Sequence, residues 1–397
     1  MLPTGERLPC LVHSSTWIPV RVATRWAVRH RRHHVQSSTL AGNLRHVGKA
    51  YSWAKAIGNF DLDEFLCSGR VLNARQLESL AEYIRFSSVS TAETIQAAVG
   101  NKVSAQTSPQ TQPALLIDTG TFDNALSVIE DFLKWSLDSM NRGGPALFAF
   151  ERLILERSRI ELIFDYLRIG ATPSRRIEPL EESEIRTIRM AVGPMETTNG
   201  WAFPPIFSSA TSFRNWLMFE TALDIGVRRG ELLKLKVTSL PRGSDTGIRI
   251  IRYPDDPHDT RSKEPAVKTA ERIVPASRNL LKWINIYLTS PPPIGRRVFT
   301  SPYLFVTVNG APISIDRAND VIHAISVYSG IKLSWHRLRH TWAETTANIL
   351  FDKPDGIDQL QWLGGWTNPD SPKRYVQNVV AKRAQDSIRA YQENIYR

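Results

Sequence analysis

Helical periodicity on both sides of one turn-rich segment constrains the fold of this chain more than any other sequence feature. The segment GATPSRRIEPLEESEI, residues 170–185, contains one glycine, two prolines and a dense mixture of charges, which is typical of a linker. The chain has 397 residues, and at about 150 residues per domain this length suggests two or three domains. We therefore predict a first domain at 1–172, a linker at 173–184 and a second domain at 185–397.

The first domain is predicted to be all-helical. Apolar residues recur at helical spacing in four segments, and Ser or Asn residues are available as caps. These segments are 38–57, 73–88, 124–140 and 146–169. The stretch NKVSAQTSPQTQPA, between the second and third of them, is polar and rich in turn residues.

The second domain is predicted to combine helices with a small antiparallel sheet. The segments GIRIIRY (247–253) and ERIVP (271–275) are strand-like, and a long polar hairpin joins them. Helical periodicity recurs around 181–194, 211–225, 277–289, 316–329 and 335–350. The predicted fold class is therefore mainly α, with a helical N-terminal domain followed by a mixed α+β domain.

The charge balance favours a polyanionic partner. Lys and Arg together exceed Asp and Glu by 50 − 39 = 11, and the isoelectric point is about 9.7. The segment 20–35 is dense in arginine and histidine at helical spacing, which indicates either phosphate contact or a solvated arm without a target. The candidate DNA contacts are Arg21, Arg25, Arg29, Arg32, Arg45 and Lys49.

Several protein classes are disfavoured by composition. No stretch approaches the roughly 20 apolar residues that would span a bilayer, so we expect no membrane association. The N terminus lacks the pattern of a secretory signal, which places the protein in the cytoplasm, bacterial or nucleoid-associated. The only cysteines, Cys10 and Cys67, are too few for a disulfide framework or a cysteine-based zinc module. We predict no metal and no cofactor.

The stretch SWHRLRHTWAE concentrates basic side chains at the start of a predicted helix. If Ser334 is the N-cap, then His336, Arg339 and His340 lie on one face of the helix, and Arg337 points elsewhere. Such a face beside a helix N terminus suits a phosphate. A zinc site is disfavoured, because Arg337 replaces the expected glutamate and Arg339 would repel the metal. A solvated helix face is the remaining alternative.

Two further stretches contain potential catalytic residues. In ALDIGVRRGELLKLKV, a helix is predicted to end at Gly226, Arg228 lies at the break, and Glu231 is placed to pair with an arginine. In LGGWTNPDSPKRYVQN, two glycines precede Trp366 and a turn-rich stretch leads to Tyr375. Taken alone, such a tyrosine is more often a packing residue or a surface hydroxyl.

Taken in chain order, these three stretches and the lysine of the polar hairpin resemble the motifs of the tyrosine recombinases, or phage-type integrases. That family has an Arg in a G-apolar-R-x-x-E context, a Lys in a β-hairpin, H-x-x-R, a Gly-Gly-Trp or Leu-Gly-His element, and a nucleophilic Tyr. The matching residues are Arg228 with Glu231, Lys268, His336, Arg339, Trp366 and Tyr375. The likeness covers about 178–397. The GGWTN stretch also resembles Cre recombinase, where Trp takes the position that His fills in most relatives.

The resemblance implies DNA cleavage and rejoining through a covalent 3′-phosphotyrosyl intermediate, without metal or ATP. Tyr375 would be the nucleophile and His336 the base, while Lys268 would protonate the leaving 5′-oxygen; Lys263 competes for that last role. Arg228, Arg339 and Trp366 would stabilise the phosphate charge. Glu231 and His340 would be supporting residues, with His340 either a phosphate ligand or a core histidine. Tyr391 and Tyr396 also lie near the C terminus, but neither follows a Gly-Gly-Trp element at the spacing seen for Tyr375.

Family resemblance further implies a core-binding type of N-terminal domain and a catalytic domain that together clamp double-stranded DNA. A basic amphipathic tail, 381–397, would dock on a neighbouring subunit and give a homo-tetramer on two paired DNA sites. No nucleotide cofactor is expected. Two alternatives stay open: a type IB topoisomerase, and a DNA-binding accessory factor that has lost cleavage.

Overall fold

The computed structural model describes most of the chain. The described residues are 6–86, 116–140, 146–170, 177–198, 200–267, 269–291, 295–296 and 301–395. They form two compact units, one within Arg7–Arg175 and the other within Arg176–Arg397. The division falls inside the segment predicted as a linker, and the predicted roles of the two domains stay predictions.

The described part of the first unit is mainly helical. Its helices are α1 (Arg21–Trp26), α2 (Ser37–Trp53), α3 (Leu62–Cys67), α4 (Ala74–Ile84), α5 (Thr119–Met140) and α6 (Ala146–Leu167). One continuous apolar core joins them, built around fully buried aromatic side chains such as Trp26, Trp53 and Phe132. Asn73 caps α4 by accepting a hydrogen bond from the Gln76 backbone N–H at 2.9 Å.

The second unit packs its helices around two short antiparallel hairpins. Its elements are α7 (Glu182–Val192), β1 (Met195–Thr197), β2 (Gly200–Ala202), α8 (Ser209–Ile225), α9 (Arg229–Lys234), β3 (Gly247–Ile250), β4 (Arg272–Pro275), α10 (Arg278–Thr289), α11 (Ile315–Ser329), α12 (Trp335–Leu350), α13 (Gly356–Gly364) and α14 (Asp370–Ile395). Strand β1 pairs with β2, and β3 pairs with β4 in the register Ile248 to Val274. The prediction of a mainly α fold with a small antiparallel sheet is confirmed.

Helix α8 lies at the centre of the second core. Nearly every side chain from Ser212 to Ile225 is buried, and the helix packs against α10 and α12. It ends where Gly226 adopts a left-handed conformation with φ of +59°. A β-carbon on Gly226 would lie only 2.0 Å from Cδ2 of Trp342, so both the backbone angle and the close packing require glycine.

The long polar hairpin between β3 and β4 is folded by buried charges. Lys234 lies 3.1 Å from Asp259 and also pairs with Glu264. Arg261 pairs with Asp259 at 2.7 Å and donates to the carbonyl oxygens of Leu233 and Ile313. Buried charges are tolerated when they are paired and hydrogen-bonded in this way, so the hairpin is fixed against the rest of the unit.

The local structure around Tyr375 differs from the prediction. The sequence predicted that a turn-rich stretch delivers this residue, whereas Tyr375 lies on a helix that runs without a break from Asp370 to Ile395. The turn is confined to the preceding residues, where the Asn368 side chain accepts a hydrogen bond from the Asp370 backbone N–H at 2.8 Å. Pro372, in the first turn, is compatible with a helix start because its missing N–H is not needed there.

Candidate active site

Arg339 is the most deeply buried of the predicted site residues on α12. Its guanidinium donates from Nη1 to the carbonyl oxygen of Gly226 at 2.7 Å and from Nη2 to that of Gly364 at 2.6 Å. The same group lies 4.8 Å from the centre of the Trp366 ring, which is cation–π geometry. Arg339 therefore ties the end of α8 to the end of α13.

Arg228 sits in the break between α8 and α9, as predicted. Its backbone N–H donates to Oε2 of Glu231 at 2.9 Å, while its Nη1 lies 3.8 Å from Oε1 of the same carboxylate. About a third of its side chain, 34%, is exposed. Within the described residues, Nη1 has no hydrogen-bond partner. This Nη1 is shielded from solvent, so an external anion could reach only the exposed part of the guanidinium.

Glu231 is the single carboxylate at the centre of these arginines. Arg272 Nη2 lies 3.0 Å from its Oε2, Arg339 Nη1 lies 3.9 Å from Oε2, and the Thr269 hydroxyl donates to Oε1. Burial alone would raise the pKa of Glu231, but Arg272, Arg339 and Thr269 outweigh it and lower that pKa. Glu231 is thus ionised, and the carboxylate holds the arginines in place.

Arg272 was not singled out by the sequence analysis. It is a buried residue of β4 and donates from Nε to the carbonyl oxygen of Leu363 at 2.7 Å. Gly365, with φ of +62°, lets it approach, since a β-carbon there would lie 2.8 Å from Arg272 Nη1. Arg272 therefore links the β-hairpin to the segment that carries Trp366.

Tyr375 lies in the second turn of α14, and its side chain is buried. Its ring centre is 5.5 Å from that of Trp366 and 5.3 Å from that of His340. Burial raises the pKa of Tyr375, although the nearby charges of Arg339, Arg374 and Arg228 oppose that rise. Among the described residues the phenol hydroxyl has no hydrogen-bond partner, which leaves it available to a substrate.

The two histidines of α12 contact each other. Nε2 of His336 lies 3.0 Å from Nε2 of His340, and the two rings are perpendicular with centres 4.4 Å apart. Burial lowers the pKa of His340 to about 4, with His336, Arg374 and Arg339 adding to the effect. Burial also lowers the pKa of His336, together with Arg339, Arg228 and Arg374. Both rings are therefore neutral near pH 7.

The positive charges of the site exceed its negative charge. Burial and the neighbouring charge of Arg228 together lower the pKa of Arg339 to about 9. Arg374, which the sequence analysis also missed, is exposed on α14 and acts on Tyr375 and both histidines. This excess of cations is what a bound phosphate diester would relieve.

The hairpin lysine is the one predicted catalytic residue without a described position. Lys268 lies outside the described residues. Its competitor Lys263 is largely exposed, 3.7 Å from Asp316. Arg337, which was predicted to point away from the phosphate face, pairs with Glu184 at 3.0 Å. No group of three His, Cys, Asp or Glu side chains within the described part of the chain could hold a metal ion.

The candidate DNA contacts of the first unit differ in exposure. Arg21, Arg29 and Arg45 are exposed, whereas Arg25 and Arg32 are partly buried. The predicted cationic helix is interrupted, because α1 passes into a π-helical turn at Ala27–Arg31, which alters the helical spacing.

The Lys49 side chain is hydrogen-bonded within the first unit. Its Nζ donates to the carbonyl oxygens of Phe86 at 2.9 Å and Ile84 at 3.4 Å, and burial lowers the pKa of Lys49. These contacts satisfy the end of α4. Sequence spacing alone did not reveal this role, since the partners lie 35 and 37 residues away.

The matches with known proteins cover this site. Residues 201–382 match the Phage integrase family. The matched segment includes every predicted catalytic residue from Arg228 to Tyr375. No curated protein sequence matches the chain. No helix in the described ranges is long and apolar enough to cross a membrane.

Solved integrase structures share the fold. The Tn1549 transposon integrase in complex with transposon right end DNA aligns with a TM-score of 0.52 and 13% identity, covering 92% of this chain and 98% of that one. The same integrase in complex with circular intermediate DNA gives 0.51 and 15%, covering 89% and 94%. The fold is therefore of the tyrosine recombinase and integrase type.

Proposed function

We propose that the protein is a site-specific DNA recombinase that cleaves and rejoins DNA through a covalent 3′-phosphotyrosyl bond to Tyr375. One observation carries this proposal most directly. The buried Tyr375 ring lies against Trp366 and His340, in the field of Arg228 and Arg339, and has a hydroxyl with no described partner. A tyrosine that served only in packing would not need this concentration of cations around a free hydroxyl.

The arginines would stabilise the charge of the reaction. Attack on a phosphodiester places negative charge on the non-bridging oxygens, and a guanidinium fork matches that geometry with a permanent charge. Arg339 is preorganised by two carbonyl oxygens, and Arg228 offers the exposed part of its guanidinium. Trp366 would add its indole N–H as a Cre-like donor. Donors fixed before the reaction need no reorganisation when the charge develops.

The proton transfers need a base and an acid. Burial raises the pKa of Tyr375, so the phenol is protonated before attack. We assign His336 as the base, since its lowered pKa keeps the ring neutral and able to take the proton. Tyr375 Oη bonds to phosphorus as the bond to the 5′-oxygen breaks, and Lys268 protonates that oxygen. The phosphotyrosyl bond conserves the energy of the broken bond, so rejoining requires no ATP.

The described surfaces are compatible with assembly on DNA. The last part of α14 exposes apolar side chains on one face, namely Ile388, Tyr391 and Ile395. We propose that this tail docks on a neighbouring copy and that four copies assemble on two paired sites of a mobile element. Arg21, Arg29 and Arg45 are the exposed candidates for phosphate contact in the first unit.

Covalent capture tests the proposed chemistry. Purified protein is incubated with short duplexes of random sequence, each nicked in one strand so that the fragment released by cleavage diffuses away. A denaturing gel then shows whether protein stays attached to DNA. We expect an adduct with the wild type and with Tyr391→Phe, and none with Tyr375→Phe. Binding of the duplexes without any adduct would instead favour the accessory-factor function.

A second assay separates recombination from topoisomerase activity. Duplexes recovered from the adducts are placed in two differently labelled molecules, and their exchange is compared with relaxation of a supercoiled plasmid that lacks the site. Exchange that requires two sites is the expected result. Relaxation of any supercoiled plasmid, without exchange, would identify a type IB topoisomerase.

A further inference from the structure

The contact between His336 and His340 restricts where their protons can be. The two Nε2 atoms are 3.0 Å apart, which is hydrogen-bond distance. A neutral imidazole carries one N–H and one lone pair, so a bond between two Nε2 atoms requires a hydrogen on only one of them. With no hydrogen the lone pairs would repel, and with two the N–H groups would collide.

The groups around the two histidines determine which ring accepts the hydrogen bond between them. His340 is held beside Tyr375 and faces His336 and Arg339 on its own helix and Arg374 on α14. With its pKa near 4, it remains neutral across the physiological range. His336 is the more exposed ring and faces Arg228, Arg339 and Arg374. A proton gained during the reaction would therefore reside on His336.

We propose that His340 is a positioning residue, whose Nε2 accepts a hydrogen bond from the Nε2–H of His336 and thereby leaves Nδ1 as the basic nitrogen of His336. This inference rests on the proposed function, in which His336 is the base. The Tyr375 proton moves to His336 Nδ1 as Oη bonds to phosphorus. The resulting imidazolium still donates from Nε2 to His340, which stabilises its charge. An acceptor on the far nitrogen fixes the tautomer that a catalytic histidine needs.

Packing holds the acceptor in position. The His340 ring lies 5.3 Å from that of Tyr375 at an angle of 56°. The two histidines are one helical turn apart on α12, so the helix itself sets their spacing. The tautomer of His336 is thus coupled to the placement of Tyr375, the residue whose proton it would remove.

Two substitutions of His340 separate hydrogen bonding from packing. His340→Gln places an amide oxygen near the position of Nε2 and retains an acceptor, whereas His340→Leu fills similar space without one. Thermal unfolding of both variants establishes that each is folded. Nitrogen NMR of histidine-labelled protein without DNA then reports the tautomer of His336, assigned by the loss of its signals in His336→Gln.

The NMR result tests the hydrogen bond independently of any DNA chemistry. We expect His336 to carry its hydrogen on Nε2 in the wild type and in His340→Gln, and to become a mixture of tautomers in His340→Leu. A wild-type His336 with its hydrogen on Nδ1, or a tautomer unchanged in His340→Leu, would overturn the inference.

The kinetic result tests the consequence for cleavage. The rate of adduct formation on a nicked duplex should fall about 10- to 100-fold in His340→Leu and recover in His340→Gln, as when the partner that orients a functional histidine is removed. The acidic limb of the pH profile should move to lower pH in His340→Leu, because the imidazolium loses its acceptor. An unchanged rate and an unchanged pH profile would overturn the positioning role of His340, but would not contradict the proposed function. Absence of any adduct from the wild type, with the expected tautomer, would contradict the proposed function.

Discussion

Arg272 and Glu231 form a buried ion pair, with Nη2 of Arg272 3.0 Å from Oε2 of Glu231. The pair connects β4 to α9, and the same arginine reaches the carbonyl oxygen of Leu363 at 2.7 Å. Glu231 also lies within 4 Å of Arg228 and Arg339. One carboxylate therefore positions both arginines that would hold the scissile phosphate.

Removing the charge of Glu231 should destabilise the second unit and abolish cleavage. In Glu231→Gln the buried Arg272 loses its counter-charge, and breaking such a pair costs about 3–5 kcal/mol. Urea unfolding should show that loss. Glu182→Gln is the matched control, because Glu182 pairs with Arg186 at 3.1 Å while 89% of its side chain is exposed. The control should change the free energy of unfolding by less than about 0.5 kcal/mol, and equal effects of the two substitutions would contradict the assignment.

Lysine substitutions should distinguish the two arginines. Arg228→Lys should reduce adduct formation by about 10²-fold or more, because a developing charge loses a preorganised donor. It should leave the free energy of unfolding within about 1 kcal/mol of the wild type. Arg339→Lys should lose both activity and about 1–3 kcal/mol of stability, since the carbonyl oxygens of Gly226 and Gly364 lose their donors. A stable Arg339→Lys would show that its guanidinium bonds do not support the fold.

Gly226 should tolerate no side chain. Gly226→Ala combines a left-handed backbone angle with a β-carbon 2.0 Å from Trp342. Gly243 has a similar φ of +66° but no atom within 4 Å of the added carbon, so Gly243→Ala isolates the backbone cost of about 1–2 kcal/mol. Thermal unfolding should give a clearly larger loss for Gly226→Ala, or no folded protein at all. Similar losses for both would mean that Trp342 moves aside freely.

Asp256 should contribute stability that disappears in acid. Burial would raise the pKa of Asp256, but hydrogen bonds from Lys236 and Tyr303 lower it to about 2, from 3.8 in the unfolded chain. A lowered pKa gives stability that is complete above the unfolded value and is lost as the pH falls from about 4 through 2. In Asp256→Asn, the change in unfolding free energy between about pH 6 and pH 2 should be smaller by about 1–2 kcal/mol. An unchanged pH dependence in Asp256→Asn would contradict this assignment.

Much of the second unit could be predicted because its signals are local. The five predicted helices are present, and the N-cap Ser334 accepts a hydrogen bond from the Arg337 backbone N–H at 3.0 Å, as its position before the basic stretch suggested. The pairing of Glu231 with an arginine was also predicted. These features depend on residues within one or two turns of each other.

The contacts of Arg272 and Lys49 could not be predicted from local sequence patterns, because their partners are distant along the chain. Glu231 lies 41 residues from Arg272, and no local pattern indicates that partnership. One signal was present in the strand: Arg272 shares a face with the buried Val274, whereas Ile273, between them, is 45% exposed. An arginine on the inward face of a strand indicates a buried partner.

Peptide mapping of the trapped adduct identifies the residue that forms the bond to DNA. The protein is captured on a nicked duplex, the DNA is digested to a short nucleotide remnant, and mass spectrometry locates the residue that carries it. We expect a 3′-phosphate linked to Tyr375 Oη. A remnant on Tyr391 or any other residue, a link through a 5′-phosphate, or no adduct from protein that binds the duplex would contradict it.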